Sequence, residues 1–169
     1  MIYLVNQGRS YRWERSGQFI WSHKLDTAGH KNAGYSLMCS VKKGDYILHN
    51  KGGQIAAISI AQTDCYSAPQ PIAVKNSTNE YDRDDDGYRV DCKYFDFTHP
   101  LLNSDLAVWA KAHPHENSCF RINGALKFRY LCNIDPDDAS YIITEALRLE
   151  SDPAVTAVLS AALNSLAIP

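Results

Sequence analysis

Five stretches of this chain are built from β-branched and aromatic residues and bounded by Gly, Asn or Pro: IYLVN (2–6), DYILHN (45–50), QIAAISIAQT (54–63), YRVDCKYFDF (88–97) and FRYLCNI (128–134). Side chains branched at Cβ lose rotamer freedom in a helix and pack well on a pleated surface, so these runs predict strands. Lys51-Gly52-Gly53 joins the second run to the third with residues able to take positive φ, which predicts a hairpin. Short helices are expected over Ala33–Val41 and over Ser104–His113, where Leu106, Trp109 and Ala110 share a face. After residue 134 the period changes. Asp135-Pro136 and Asp152-Pro153 each place an N-cap residue ahead of a proline at the first helical position. Apolar residues then recur at helical spacing, as Ala139, Ile142, Ile143, Ala146 and Leu147, and as Val155, Val158, Leu159, Ala162, Leu163 and Leu166. Strands first and helices last predict an α+β domain around one curved mixed sheet or small barrel, with Val5, Ile47, Ile58, Val90 and Phe95 in its core. The expected division is a domain over 1–134 and a C-terminal helical extension over 135–169, available as a linker to an effector domain or partner.

With 169 residues, 45% of them hydrophobic, the chain is long enough for one domain with a proper core. The five cysteines form no CxxC pair, which fits reduced thiols filling the core better than a disulfide framework or a zinc site. The opening MIYLVNQG carries neither a basic leader nor a long apolar core, and no later segment approaches the ~20 apolar residues of a membrane helix, so a soluble, cytoplasmic protein is expected. A net charge of −2 argues against unspecific coating of nucleic acid and leaves room for a local basic surface. The acidic run Asn76–Gly87 is expected to be a solvated loop.

Catalytic chemistry is hard to find. The sequence has no GxGxxG, Walker A loop, GxSxG or HExxH. HPHEN at 113–117 brings two histidines and a glutamate together beside a proline, a loop feature more than a metal site, and DRDDDG lacks the alternation and closing glutamate of a calcium loop. No catalytic residue, metal or cofactor is assigned, and a binding module is favoured over an enzyme. The enzymatic alternative would act on nucleic acid with His23, His49 or His113 as acid and base.

One residue sits oddly. Trp21 closes the apolar triplet Phe19-Ile20-Trp21 and runs directly into a polar loop with two lysines and two histidines. The order YLVNQGRSYRWERSGQFIWS, GYSLMCSVKKGDYILHNKGGQIAAISIAQTDCYSAPQP and DGYRVDCKYFDF resembles the EVE domain of the PUA-like superfamily. The likeness is to the form at the N-terminus of modification-dependent (type IV) HNH restriction endonucleases; it spans about the first 100 residues and continues weakly through FRINGALKFRYLCNI. The resemblance departs after Asn123-Gly124, where relatives carry Gln-Gly before the strand and this chain has Phe128-Arg129. It implies a PUA-like fold related to YTH domains and an aromatic pocket for a flipped modified base in double-stranded DNA. It carries that pocket onto Trp21, Ser22, Tyr88, Asn6 and Gln7, with Trp21 as the stacking platform. Read from the residues alone, Tyr88 could equally point into the core, and Asn6 and Gln7 could cap a turn. The resemblance suggests 5-methylcytosine or 5-hydroxymethylcytosine, with N6-methyladenine open, and cleavage by a separate nuclease domain or subunit. Lys24, Lys31, Arg9 and Arg12 are the candidate contacts to the DNA backbone. An RNA-binding PUA-like reader is the remaining alternative.

Overall fold

The computed structural model describes residues 1–78, 86–115 and 118–167. In chain order the elements are β1 (Ile2–Gln7), α1 (Tyr11–Gly17), β2 (Phe19–His23), α2 (Ala33–Ser36) running into a 3-10 turn (Leu37–Ser40), β3 (Tyr46–Lys51), β4 (Gln54–Ala61), β5 (Tyr66–Ala68), α3 (Ile72–Thr78), β6 (Gly87–Leu102), α4 (Asn103–Ala112), β7 (Leu131–Asn133), α5 (Pro136–Leu149) and α6 (Pro153–Leu166). Residues 79–85 of the acidic run, including four of the six residues of DRDDDG, lie outside the described residues.

The strands form one sheet in the order β2-β6-β4-β3-β1-β7, with β5 paired to β6. Among the described residues only the β1–β3 pair is parallel. Two features curl the sheet into a half-barrel. β6 runs for 16 residues and serves several neighbours, pairing β2 and β5 through Gly87–Asp91 and β4 from Cys92 onward. Its register with β4 then breaks between Ile55 and Ala57, and extra residues on one strand bend a ladder at that point. The β3–β4 hairpin turns on Gly52 and Gly53 with φ of 61° and 83°, the left-handed pair that a two-residue turn between right-twisted strands requires.

Alternation along β1 divides the core into two layers. Ile2 and Leu4 join Leu48, Ile58 and Phe97 against α4, α5 and α6, whereas Tyr3 and Val5 join Ile20, Met38, Ile47, Val90 and Leu131 on the other face. Of the expected core residues, Val5, Ile47, Ile58 and Val90 are fully buried and Phe95 is half-buried. Both C-terminal helices begin as their Asp-Pro pairs dictate: the Asp135 carboxylate accepts the Asp137 N–H, and Asp152 accepts from Ala154 and Val155. Their apolar stripes lie in the same core as β1, β3 and β4, with Ile142, Ile143 and Leu159 buried, each such side chain contributing about 1.5–3 kcal/mol. The two C-terminal helices, expected as an extension over 135–169, thus pack in the same core as the sheet. No helix among the described residues is long and apolar enough to cross a membrane.

Two further expectations are corrected. Cys92, Cys119 and Cys132 fill the core, but Cys39 is exposed at the end of the 3-10 turn. The last strand is shorter than its sequence run, because Phe128, Arg129 and Tyr130 leave the ladder and only Leu131–Asn133 pair with β1.

Candidate functional site

α1 brings a carboxylate into the centre of the molecule. Glu14 is 1% exposed and meets the side chains of Gln7 and Tyr130. The direction of each hydrogen bond follows from the groups that can only accept. The Phe19 carbonyl takes the Tyr94 hydroxyl proton at 2.9 Å, so the Tyr94 oxygen accepts from Gln7 Nε2 at 3.2 Å. This turns Gln7 Oε1 toward His49 Nδ1, 2.7 Å away, and leaves His49 Nε2 to accept the Ser59 hydroxyl at 2.7 Å. Burial drives His49 down to about 3, so its ring stays neutral. Burial pushes Glu14 up to about 7, against hydrogen bonds from Ser10, Gln7 and Tyr130 that favour the anion. The carboxamide of Gln7, expected to read a base edge, is instead consumed by this network.

Asn6, one residue earlier, faces outward. Its Nδ2 donates to the carbonyls of Lys127 (3.2 Å) and Arg129 (2.8 Å), so its Oδ1 accepts from Asn50 Nδ2 at 2.7 Å. The ends of the parallel strands β1 and β3 thereby clamp the 127–130 segment, and a cavity of about 390 Å³ opens beside the clamp. It is lined by Asn6, Gln7, Asn32, Tyr35, Asn50 and the 126–130 segment. The Tyr35 ring stands edge-on to Tyr130 at 6.1 Å. Asn32 caps α2 through Oδ1, which accepts from Gly34, leaving its amide N–H groups to donate.

The other expected pocket residues lie elsewhere. Tyr88 lines a second cavity of about 430 Å³ with Lys24, Lys31, Ser36 and Asp86, where Lys24 pairs with Asp86 and lies 5.5 Å from the Tyr88 ring centre. Ser22 is buried beside Tyr88 in the β2–β6 ladder. Trp21 lines neither cavity. It is 4% exposed and packs with Phe19, Val74 and Trp13, its indole N–H donates to the Ala68 carbonyl at 3.1 Å, and its backbone N–H donates to the Tyr130 hydroxyl. β5 and α3 cover a face that its polar sequence neighbours suggested was open, which corrects the placement of Trp21 as a partly solvent-facing platform. Arg9 and Arg12 are exposed around the start of α1, with the Arg12 guanidinium 4.0 Å above the Trp13 ring.

The histidines of the enzymatic alternative do not converge. His49 is sealed in the network, His113 is exposed and stacks on Trp109, and His23 packs between Trp21 and Tyr35. The ligand atoms of His115, Asp135 and Asp137 lie within 4.8 Å of one another, but Asp135 is already engaged in capping α5. Glu116 and Asn117 of HPHEN lie outside the described residues.

The described residues form a curled mixed sheet with one parallel pair, flanked by short helices and with a cavity at the ends of β1 and β3, a fold that resembles that of EVE domains. No protein-family model matches the chain, and neither does any curated protein. Among solved structures it is similar to human THYN1 protein in complex with 5-methylcytosine-containing DNA, at 11% identity over 90% of this chain and 99% of that one, with a TM-score of 0.56. It is also similar to the YTH domain of Zygosaccharomyces rouxii MRB1 protein in complex with N6-methyladenosine RNA, at 8% identity over 86% of each chain and a TM-score of 0.51. A hypothetical protein from Leishmania major matches 87% of this chain and 94% of its own at 10% identity, with a TM-score of 0.56. At these identities the likeness is one of fold.

Proposed function

We propose that this protein is a non-catalytic reader of a modified base in nucleic acid, and that the base enters the cavity between Asn6, Asn32, Tyr35 and the 126–130 segment. The observation that carries the reading is the composition of that cavity. It joins an aromatic face (Tyr35), apolar surface for a methyl group (Leu126), an amide donor for a base edge (Asn32) and two rim cations (Lys127 and Arg129). A base drawn out of a stack must recover its lost contacts, and a tyrosine face beside a carboxamide offers both stacking and edge recognition. The fold likeness to one protein solved with 5-methylcytosine DNA and another solved with N6-methyladenosine RNA supports the same class of ligand.

The finer reading is double-stranded DNA carrying 5-methylcytosine or 5-hydroxymethylcytosine, flipped into the cavity. Lys31, Arg9 and Arg12 contact phosphates, and the protein is the specificity part of a modification-dependent restriction system whose nuclease is another domain or subunit. Tyr88 and Lys24, at the second cavity, belong on this reading to the nucleic-acid surface and not to the base pocket.

The test is a binding panel of duplexes bearing cytosine, 5-methylcytosine, 5-hydroxymethylcytosine, adenine or N6-methyladenine at one position, with RNA of the same sequence as competitor. Tyr35→Ala is expected to weaken binding of the preferred base by about 1–3 kcal/mol, roughly 10- to 100-fold, and Tyr35→Phe to restore most of it. Equal affinity for every base in the panel would overturn the reading.

A further inference from the structure

Phe128 is 99% exposed, yet the backbone on each side of it is tied down. The Arg129 N–H donates to the Lys127 carbonyl at 2.9 Å, which closes a three-residue turn with Phe128 at its apex. Asn6 Nδ2 donates to the carbonyl on each side of that apex, and the Tyr130 carbonyl accepts the Asn6 N–H at 2.7 Å. The loop is anchored again upstream by Lys127 N–H to Cys119 O (2.8 Å) and Arg121 N–H to Ala125 O (2.7 Å). Gly124 is held at φ 81°, where a Cβ would come within 2.2 Å of the Ala107 carbonyl oxygen. A lone exposed hydrophobe calls for no explanation. A phenylalanine fixed at the tip of a clamped turn, its ring in water, has already given up the backbone freedom that binding would otherwise cost.

Its surroundings identify what the ring meets. Lys127 and Arg129 flank it and line the cavity proposed for the base, and Arg121 and Ile122, the latter 86% exposed, stand on the same loop. Among the described residues none of these three cations pairs with a carboxylate. An exposed aromatic between unpaired cations, at the mouth of a base-sized cavity, complements a phosphate backbone with a gap in its stack.

We propose that Phe128 is the wedge that enters a DNA duplex where the modified base leaves it, stacking on the neighbouring bases while Lys127, Arg129 and Arg121 hold the flanking phosphates. The inference rests on the reader function above and deepens it, since a wedge is needed only where the base is extracted from a duplex. Asn6 is then a positioning residue that holds the turn.

The test compares wild-type protein with Phe128→Ala, Phe128→Trp and Phe128→Leu on three oligonucleotides: a duplex with one 5-methylcytosine, the unmodified duplex, and the single strand with the same 5-methylcytosine. Phe128→Ala is expected to keep the wild-type melting temperature, because the ring buries nothing. It is expected to weaken the modified duplex by roughly 10-fold or more and the single strand by less than about twofold, with Phe128→Trp near wild type and Phe128→Leu between. Equal weakening of duplex and single strand, or no weakening, overturns the wedge. If wild-type protein shows no preference for the modified duplex, and Phe128→Ala still weakens duplex more than single strand, the wedge stands and the base-reading function falls. Failure to bind any of the three overturns both.

Discussion

Trp21→Ala is expected to cost about 3–5 kcal/mol of folding stability, because truncating a buried tryptophan leaves a void that its neighbours fill only in part. The ring lies between β2 and the covering segment of β5 and α3, against Phe19 and Val74, and the variant also strands the Ala68 carbonyl that accepts the indole N–H. The fit is tight on the remaining side, since a Cβ at Gly87 would come within 2.3 Å of the six-membered ring of the indole. Chemical denaturation would show the loss as a lower midpoint at unchanged slope. Trp21→Phe should lose less, as it keeps a ring but neither the full volume nor the hydrogen bond. At a temperature where both variants remain folded, discrimination between bases should match wild type. A melting temperature near wild type for the alanine variant would contradict the packing described here.

The second large effect is a dependence on pH centred on Glu14. Its carboxyl is raised by burial to about 7 from an ordinary 4.5. Between these values the unfolded chain has released the proton and the native protein has kept it, so stability falls as pH rises through that window. It is fully present below about 4.5 and lost above about 7. The loss is on the order of 3 kcal/mol for a shift of this size, at 1.36 kcal/mol per unit. Glu14→Gln imitates the protonated form, since its oxygen still accepts from Gln7 and Tyr130. The variant should be close to wild type at pH 4.5 and about 3 kcal/mol more stable at pH 8, the gap opening between. Urea midpoints of both proteins at half-unit steps of pH would test this, and a gap between variant and wild type that does not widen from pH 4.5 to 7 would contradict it. His49 acts with the opposite sign in both proteins, since burial keeps its ring neutral when folded while the unfolded chain binds a proton below about 6.5, so it adds stability as pH rises toward that value and cancels in the comparison.

In this sheet the proposed site and the buried network share the end of β1. Asn6 faces out and ties down the turn that carries Phe128, while Gln7 faces in and joins Glu14, Tyr94 and His49. The inner network also reaches the cavity wall through Tyr130, whose hydroxyl contacts Glu14 and accepts from the Trp21 backbone. The charge state of Glu14 is thus felt at a residue that lines the proposed base site.

Local chemistry was enough to write down five of the seven described strands, the Gly52-Gly53 hairpin and the two Asp-Pro helix starts, because each depends on φ preference, side-chain branching or a cap within a few residues. Periodicity also marked Val5, Ile47, Ile58 and Val90 as interior, since a strand buries alternate residues whatever lies opposite. The site was legible only in part. Asn6 and Gln7 were singled out and both border the cavity, but the Gln7 carboxamide is taken up by Glu14, Tyr94 and His49 because successive strand side chains face opposite sides of the sheet. Trp21 has polar neighbours in sequence, yet its accessibility is set by β5 and α3, which join it from 40 to 60 positions away through pairing with β6. Tyr35 and Asn32 carried no signal, because a cavity is made by elements meeting and not by any one of them. The FRYLCNI run reads as a strand throughout, but the ladder covers only Leu131–Asn133: the Asn6 amide holds the Lys127 and Arg129 carbonyls on either side of Phe128, whose side chain, assigned by pattern to a pleat, stands in solvent at the tip of a turn. Sequence decided which segments could pair and which faces would be apolar; only the tertiary structure decided which polar groups were left over, because each hydrogen-bonding atom is assigned by partners far away in the chain.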